Sequence, residues 1–138
     1  MNFTGLDERQ AREFADRWLP AWTGNRPALL ASFYSDDAFY SDPAIPNGVR
    51  GRAAIQAYFE RLLARNPDWV WTHRGSQPLA DGFLNLWHAT IPVGDRRIEV
   101  DGVCTAQLRD GLIYSNQVFF DRSELLAALA AERSKSRA

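Results

Sequence analysis

Three side chains in this sequence could carry proton chemistry at one place: Asp42, His88 and Asp121. Asp42 stands before Pro43, which biases it toward an extended backbone and has no N–H to continue a ladder, so the strand Ala38 to Ser41 should stop there. A carboxylate is thereby set at a strand end beside a loop. Asp121 closes the run Val118-Phe119-Phe120-Asp121, and His88 follows Trp87 in an apolar strand. Carboxyl and imidazole groups are general acids and bases, so the three would support acid/base catalysis without a cofactor if they met in one cavity. Each has a plainer reading too. Asp42 could form a turn, Asp121 could cap the last helix with Glu124 as box partner, and His88 could be a neutral core histidine bonded to a backbone carbonyl.

Other reactive residue types point away from metals and thiol chemistry. His73 and His88 lie far apart without a matching carboxylate spacing, so no metal site is expected. Cys104 is alone, which excludes a disulfide framework and a cysteine-based zinc site, and in an apolar strand it reads as a small buried hydrophobe.

The elements that must position these groups follow from patterning. Thr4, Asp7 and Glu8 mark a helix start, and Phe14, Trp18, Leu19 and Trp22 fall at helical spacing until Pro20 ends the helix by Trp22. Pro27 opens a short helix to Tyr34, the strand carrying Asp42 follows, and a third helix runs from Ala53 to Arg65. Residues 69–78, 83–92, 97–108 and 112–121 read as four strands, separated by turns at Asp81-Gly82, Gly94-Asp95 and Asp110-Gly111. Short successive turns imply an antiparallel meander. Ser123 to Ala131 reads as a final helix, with residues 132–138 as a frayed tail. The expected fold class is α+β: a curved antiparallel sheet, a four-stranded meander plus a short strand, wrapped around the N-terminal helices and enclosing a pocket.

Strand alternation sorts the residues that could share that pocket. Leu84, Leu86, His88 and Thr90 share one face, as do Ile113, Ser115, Gln117, Phe119 and Asp121. Ile98, Val100, Gly102, Cys104 and Ala106 form an apolar face, which puts Glu99 and Asp101 outside. Trp18, Tyr40, Trp71, Cys104, Gln117 and Phe119 are the expected substrate contacts. Phe83, Trp87, Ile91, Val103, Tyr114 and Phe120 would then form an apolar outer face, and that predicts a homodimer paired through the sheet.

At 138 residues, with 46% hydrophobic and 12% aromatic side chains, the chain forms one globular domain over residues 1–138. Five Trp and eight Phe exceed what a small core needs and suggest an aromatic cavity for a small hydrophobic molecule. A net charge of −1 gives no electrostatic case for nucleic acid or an anionic membrane. The opening residues lack a basic stretch followed by an apolar one, so a cytoplasmic location is expected.

The ordered set FYSDDAFYSDP, Gly51-Arg52-Ala53-Ala54-Ile55, Pro67-Asp68, Arg109-Asp110-Gly111-Leu112-Ile113 and Val118-Phe119-Phe120-Asp121 resembles the SnoaL-like polyketide cyclases and ketosteroid isomerases of the NTF2-like fold, from Phe14 to Leu126. In isomerase-like members the resemblance makes Asp42 the base that moves a proton beside a carbonyl. Their two donors to the substrate oxygen fall here on Trp18 and Cys104. In cyclase-like members it makes Asp121 the acid/base, with His88 available as the second proton carrier. The implied function is a cofactor-free isomerase or cyclase acting on a hydrophobic carbonyl compound. Two alternatives are a ligand-binding module without catalysis and an epoxide hydrolase, which would need an Asp-Arg-Asp network using Arg74 or Arg97.

Overall fold

The computed structural model describes residues 6–136. Asp7, rather than Thr4, which lies outside the described residues, caps the first helix, α1 (Glu8–Trp18), by accepting from the Gln10 N–H at 2.8 Å while the Gln10 side chain accepts from its own N–H. Pro20 then tightens the chain into a single 3-10 turn, Leu19–Trp22. Helix α2 (Pro27–Ala31) is followed by strands β1 (Tyr34–Asp42) and β2 (Ile45–Arg50), helix α3 (Arg52–Arg65), the long strands β3 (Val70–Leu79), β4 (Gly82–Val93), β5 (Arg96–Arg109) and β6 (Leu112–Phe119), and helix α4 (Ser123–Ser136). The last helix continues past Ala131 because Lys135 reaches both Glu132 (3.2 Å) and Asp95 (3.7 Å).

The six strands form one sheet in the order β2-β1-β6-β5-β4-β3. The meander β3 to β6 is antiparallel as expected, while β1 joins β6 in parallel and brings β2 with it at the edge. The segment after Pro43 is therefore a strand and not a loop. Gly48 permits the tight β1–β2 pairing: its φ is +73°, and a Cβ there would overlap the Phe39 ring.

The helices cover one face of the sheet, and the core between them is aromatic. Trp22 packs on Phe59 at 5.2 Å and on Tyr40 at 6.1 Å, and Trp71 meets Trp87 at 4.4 Å. Trp87 lies across Gly102, its cross-strand partner, where any side chain would collide with the indole.

The facing of β4 reverses the expectation. Phe83, Trp87 and Ile91 are buried in the core, so Leu84, Leu86, His88 and Thr90 point outward. Phe120 also turns inward, packing on Trp87 at 5.5 Å. The apolar outer face invoked for dimer pairing is thus largely the inner wall, since the bulkier aromatic set takes the core side. On β6 an extra residue, Tyr114, sits between the Leu108–Ile113 and Gln107–Ser115 pairs. That bulge shifts the alternation by one, so Asn116, Val118 and Phe120 face in, while Gln117 and Phe119 face out, Phe119 with 52% exposure.

Candidate active site

Asp42 is the acidic residue of the cavity wall. It ends β1 with only 8% of its surface exposed. A register shift after Tyr40 turns the chain there. Asp42 Oδ1 then accepts from the backbone N–H groups of Ala44 (2.8 Å) and Ile45 (3.2 Å). Oδ2 accepts from the hydroxyls of Tyr40 and Tyr58, both at 2.8 Å. Tyr40 is two residues upstream and so shares the face of Asp42. Tyr58 comes from the buried stripe of α3. Burial, then the neighbouring Asp42 charge, pushes both phenol pKa values well above their ordinary value, so both remain donors. Asp42 is thereby fixed in orientation by four donors.

The cavity has a volume of about 430 Å³, room for a drug-sized molecule. All five tryptophans contribute to its lining: Trp18, Trp22, Trp69, Trp71 and Trp87. Leu125, Leu126 and Leu129 of α4 close it on one side, and Arg65 and Arg122 are its two cations. The indole N–H groups of Trp18 and Trp71 are buried without a hydrogen-bond partner among the described residues. Cys104 also lines the cavity, and burial pushes its thiol pKa up to about 12. Behind the lining, Tyr34 donates to Asn116 (2.8 Å), and His73 Nδ1 meets Asn85 Oδ1 (2.6 Å).

Of the expected contacts, the structure brings Asp42, Trp18, Tyr40, Trp71 and Cys104 together at this cavity. It does not bring His88, Asp121, Gln117 or Phe119 there. Asp121 is exposed and accepts from the Ser123 N–H (2.9 Å) and hydroxyl (2.6 Å), bonds that hold its carboxyl pKa below the ordinary range. It serves as the turn into α4. Arg74 pairs with Asp101 at 3.7 Å on the outer face and Arg97 is exposed, so neither can sit between two cavity carboxylates. Tyr58, Arg65 and Arg122 were missed. A tyrosine in a buried helical stripe is a recognisable signal, because its hydroxyl must find a partner.

His88 belongs to an outer-face cluster, with Nδ1 at 2.8 Å from Asp101 and Nε2 at 3.0 Å from Glu99. The Asp101 bond, then the Glu99 bond, raises the imidazole pKa above its ordinary value. A raised folded-state pKa stabilises the fold fully below the unfolded value of about 6.5 and loses that contribution as pH rises through the folded value. The Tm deficit of His88→Gln relative to the parent should therefore be larger near pH ~6 than near pH ~9, though small because the cluster is exposed. An equal deficit at both pH values in thermal melts would show that His88 does not titrate with folding.

Residues 15–116 match the SnoaL-like domain family. A steroid Δ-isomerase from Nocardioides simplex is 44% identical over 116 residues, which span 83% of this chain and 92% of that protein. Among solved structures, a protein from Catenulispora acidiphila with a ketosteroid isomerase-like fold, in complex with trimethylamine, superposes with a TM-score of 0.75 at 23% identity, covering 86% of this chain and 92% of that one. A protein assigned as a SnoaL-like polyketide cyclase from a Jannaschia species gives a TM-score of 0.73 at 17% identity, covering 90% and 94%. The chain belongs to the SnoaL-like family and has the ketosteroid isomerase-like, NTF2-like α+β fold.

Proposed function

We propose that this protein is an acid/base enzyme of the isomerase type, with Asp42 as the base that moves a proton on a carbon beside a carbonyl in a hydrophobic molecule. The observation that carries this reading is Asp42 itself: a buried carboxylate, oriented by Tyr40 and Tyr58, on the wall of an apolar cavity. Asp42 would take the proton, the C–H electron pair would pass into the carbonyl system to give an enolate, and the carboxyl would return the proton to the same carbon or to the far end of the conjugated system. The likeness to a steroid Δ-isomerase supports this arrangement. The cyclase arrangement would need Asp121 at the cavity, and Asp121 instead holds the turn into α4.

A second reading, ligand binding without turnover, draws on the donors to the substrate oxygen. Trp18 can offer one neutral N–H, and the Cys104 thiol is a poor donor. Loss of one good donor costs about 3 kcal/mol in the transition state. The discriminating test offers the protein a Δ5-3-ketosteroid and an aryl methyl ketone in D2O and follows isomerisation and α-deuteration by NMR. Rates above the protein-free control on either compound support the enzyme. Buffer rates on both compounds leave the binding module.

A further inference from the structure

The charges on the cavity wall do not balance. Asp42 is the acidic side chain of the lining, and its two oxygens are already engaged by four donors. Arg65, in the last turn of α3, and Arg122, just before α4, both line the same cavity. Arg65 uses its Nε on the Arg61 carbonyl of its own helix at 3.3 Å. Among the described residues, the Arg122 guanidinium makes no hydrogen bond or ion pair and neither arginine has a carboxylate within ion-pair distance. The two come from different elements yet line one cavity.

Arg65 is exposed and Arg122 half-buried, so they mark the mouth, while the tryptophans mark the interior. An arginine fork suits a planar carboxylate with two parallel N–H bonds. At the rim of a low-dielectric cavity such a pair attracts an anion more strongly than it would in open water. We propose that the cavity takes an apolar carbonyl compound carrying a carboxylate, with the carboxylate held at the mouth by Arg65 and Arg122 and the carbonyl end inside. This rests on the reading of Asp42 as the base, and it narrows the substrate class to hydrophobic keto acids.

A matched pair of probes tests it: 4′-acetylbiphenyl-4-carboxylate and the corresponding primary amide, alike in shape and differing in charge. Quenching of tryptophan fluorescence reads the affinity of each, since all five indoles line the cavity. The acid should bind at least about tenfold more tightly than the amide. That preference should shrink as salt is raised and vanish in Arg65→Gln/Arg122→Gln. Equal affinity of acid and amide, failure of the acid to bind, or a preference that survives the double substitution overturns the proposal. Deuteration of the acetyl methyl in D2O reads the Asp42 claim separately. Acid preference without exchange would leave the carboxylate site standing and remove the enzyme, whereas exchange without acid preference would do the reverse.

Discussion

Asp42→Asn is expected to lower turnover by about 10²–10⁴-fold, the usual contribution of a positioned general base, while the protein stays folded. The fold survives because an amide can satisfy the same four neighbours. Its oxygen still accepts from the Ala44 and Ile45 N–H groups, and its NH₂ can donate to the Tyr40 and Tyr58 hydroxyls, which rotate to become acceptors. What disappears is the ability to take a proton from carbon. Asp42→Leu makes the contrasting control: it strands two hydroxyls and two N–H groups in a buried setting, at about 1–3 kcal/mol for each unsatisfied group. The Asn variant should therefore match the parent in urea midpoint and lose exchange activity, and the Leu variant should lose both. An Asn variant with parental turnover removes Asp42 from the chemistry. Asp121→Asn serves as the negative control, since Asp121 is exposed and bonded to Ser123 outside the lining.

Much of this site could be read in the residues, and the misplacements have definite physical origins. The Asp-Pro pair located the end of β1 because proline's geometry is local, so no tertiary knowledge was needed. His88 was misplaced although the sequence held the answer. The Gly94-Asp95 turn sets the register that pairs His88 with Asp101 and Asn85 with Cys104. Directly paired residues share a face, so placing Asp101 outside and Cys104 inside already sends His88 out. Taken alone, β4 offers two apolar faces, and hydrophobicity does not decide between Leu84-Leu86 and Phe83-Trp87. Gln117 and Phe119 were misplaced for a different reason. The bulge at Tyr114 is an insertion against β5, and a single strand read by itself carries no mark of it. Strand β2 was hidden because its Pro46, Asn47 and Gly48 read as loop residues, while pairing with β1 at the sheet edge tolerates them. The two arginines escaped because lining a cavity depends on where the end of α3 and the turn before α4 are placed in the fold, and local spacing does not contain that information.

Trp22→Ala is expected to cost about 3–5 kcal/mol, a large part of the roughly 5–15 kcal/mol that holds a domain of this size together. Trp22 is 5% exposed, and its ring meets those of Trp18 (6.3 Å), Tyr40 (6.1 Å), Phe59 (5.2 Å), Trp69 (6.3 Å) and Trp71 (5.9 Å). The indole therefore joins the 3-10 turn to α3, β1 and β3 at once. The Trp22 backbone carbonyl accepts from the Trp69 indole N–H at 2.6 Å, a bond that truncation of the Trp22 side chain leaves available, so the loss is one of packing. Because Trp22 also lines the cavity, the void opens into the ligand space and its neighbours have nothing to close against. Tyr40 would lose its packing partner on that side, and with it one of the two hydroxyls that orient Asp42 becomes less fixed. Trp22→Phe retains a ring at the same point and should lose much less. Urea titrations with an unchanged m-value would read both differences directly. A deficit below ~1.5 kcal/mol for Trp22→Ala would mean that the cavity wall can collapse onto the missing side chain, as sites that relax well do. In that case the aromatic wall would be adaptable to its ligand, and the orientation of Asp42 would depend on the β1–β2 turn and Tyr58 alone.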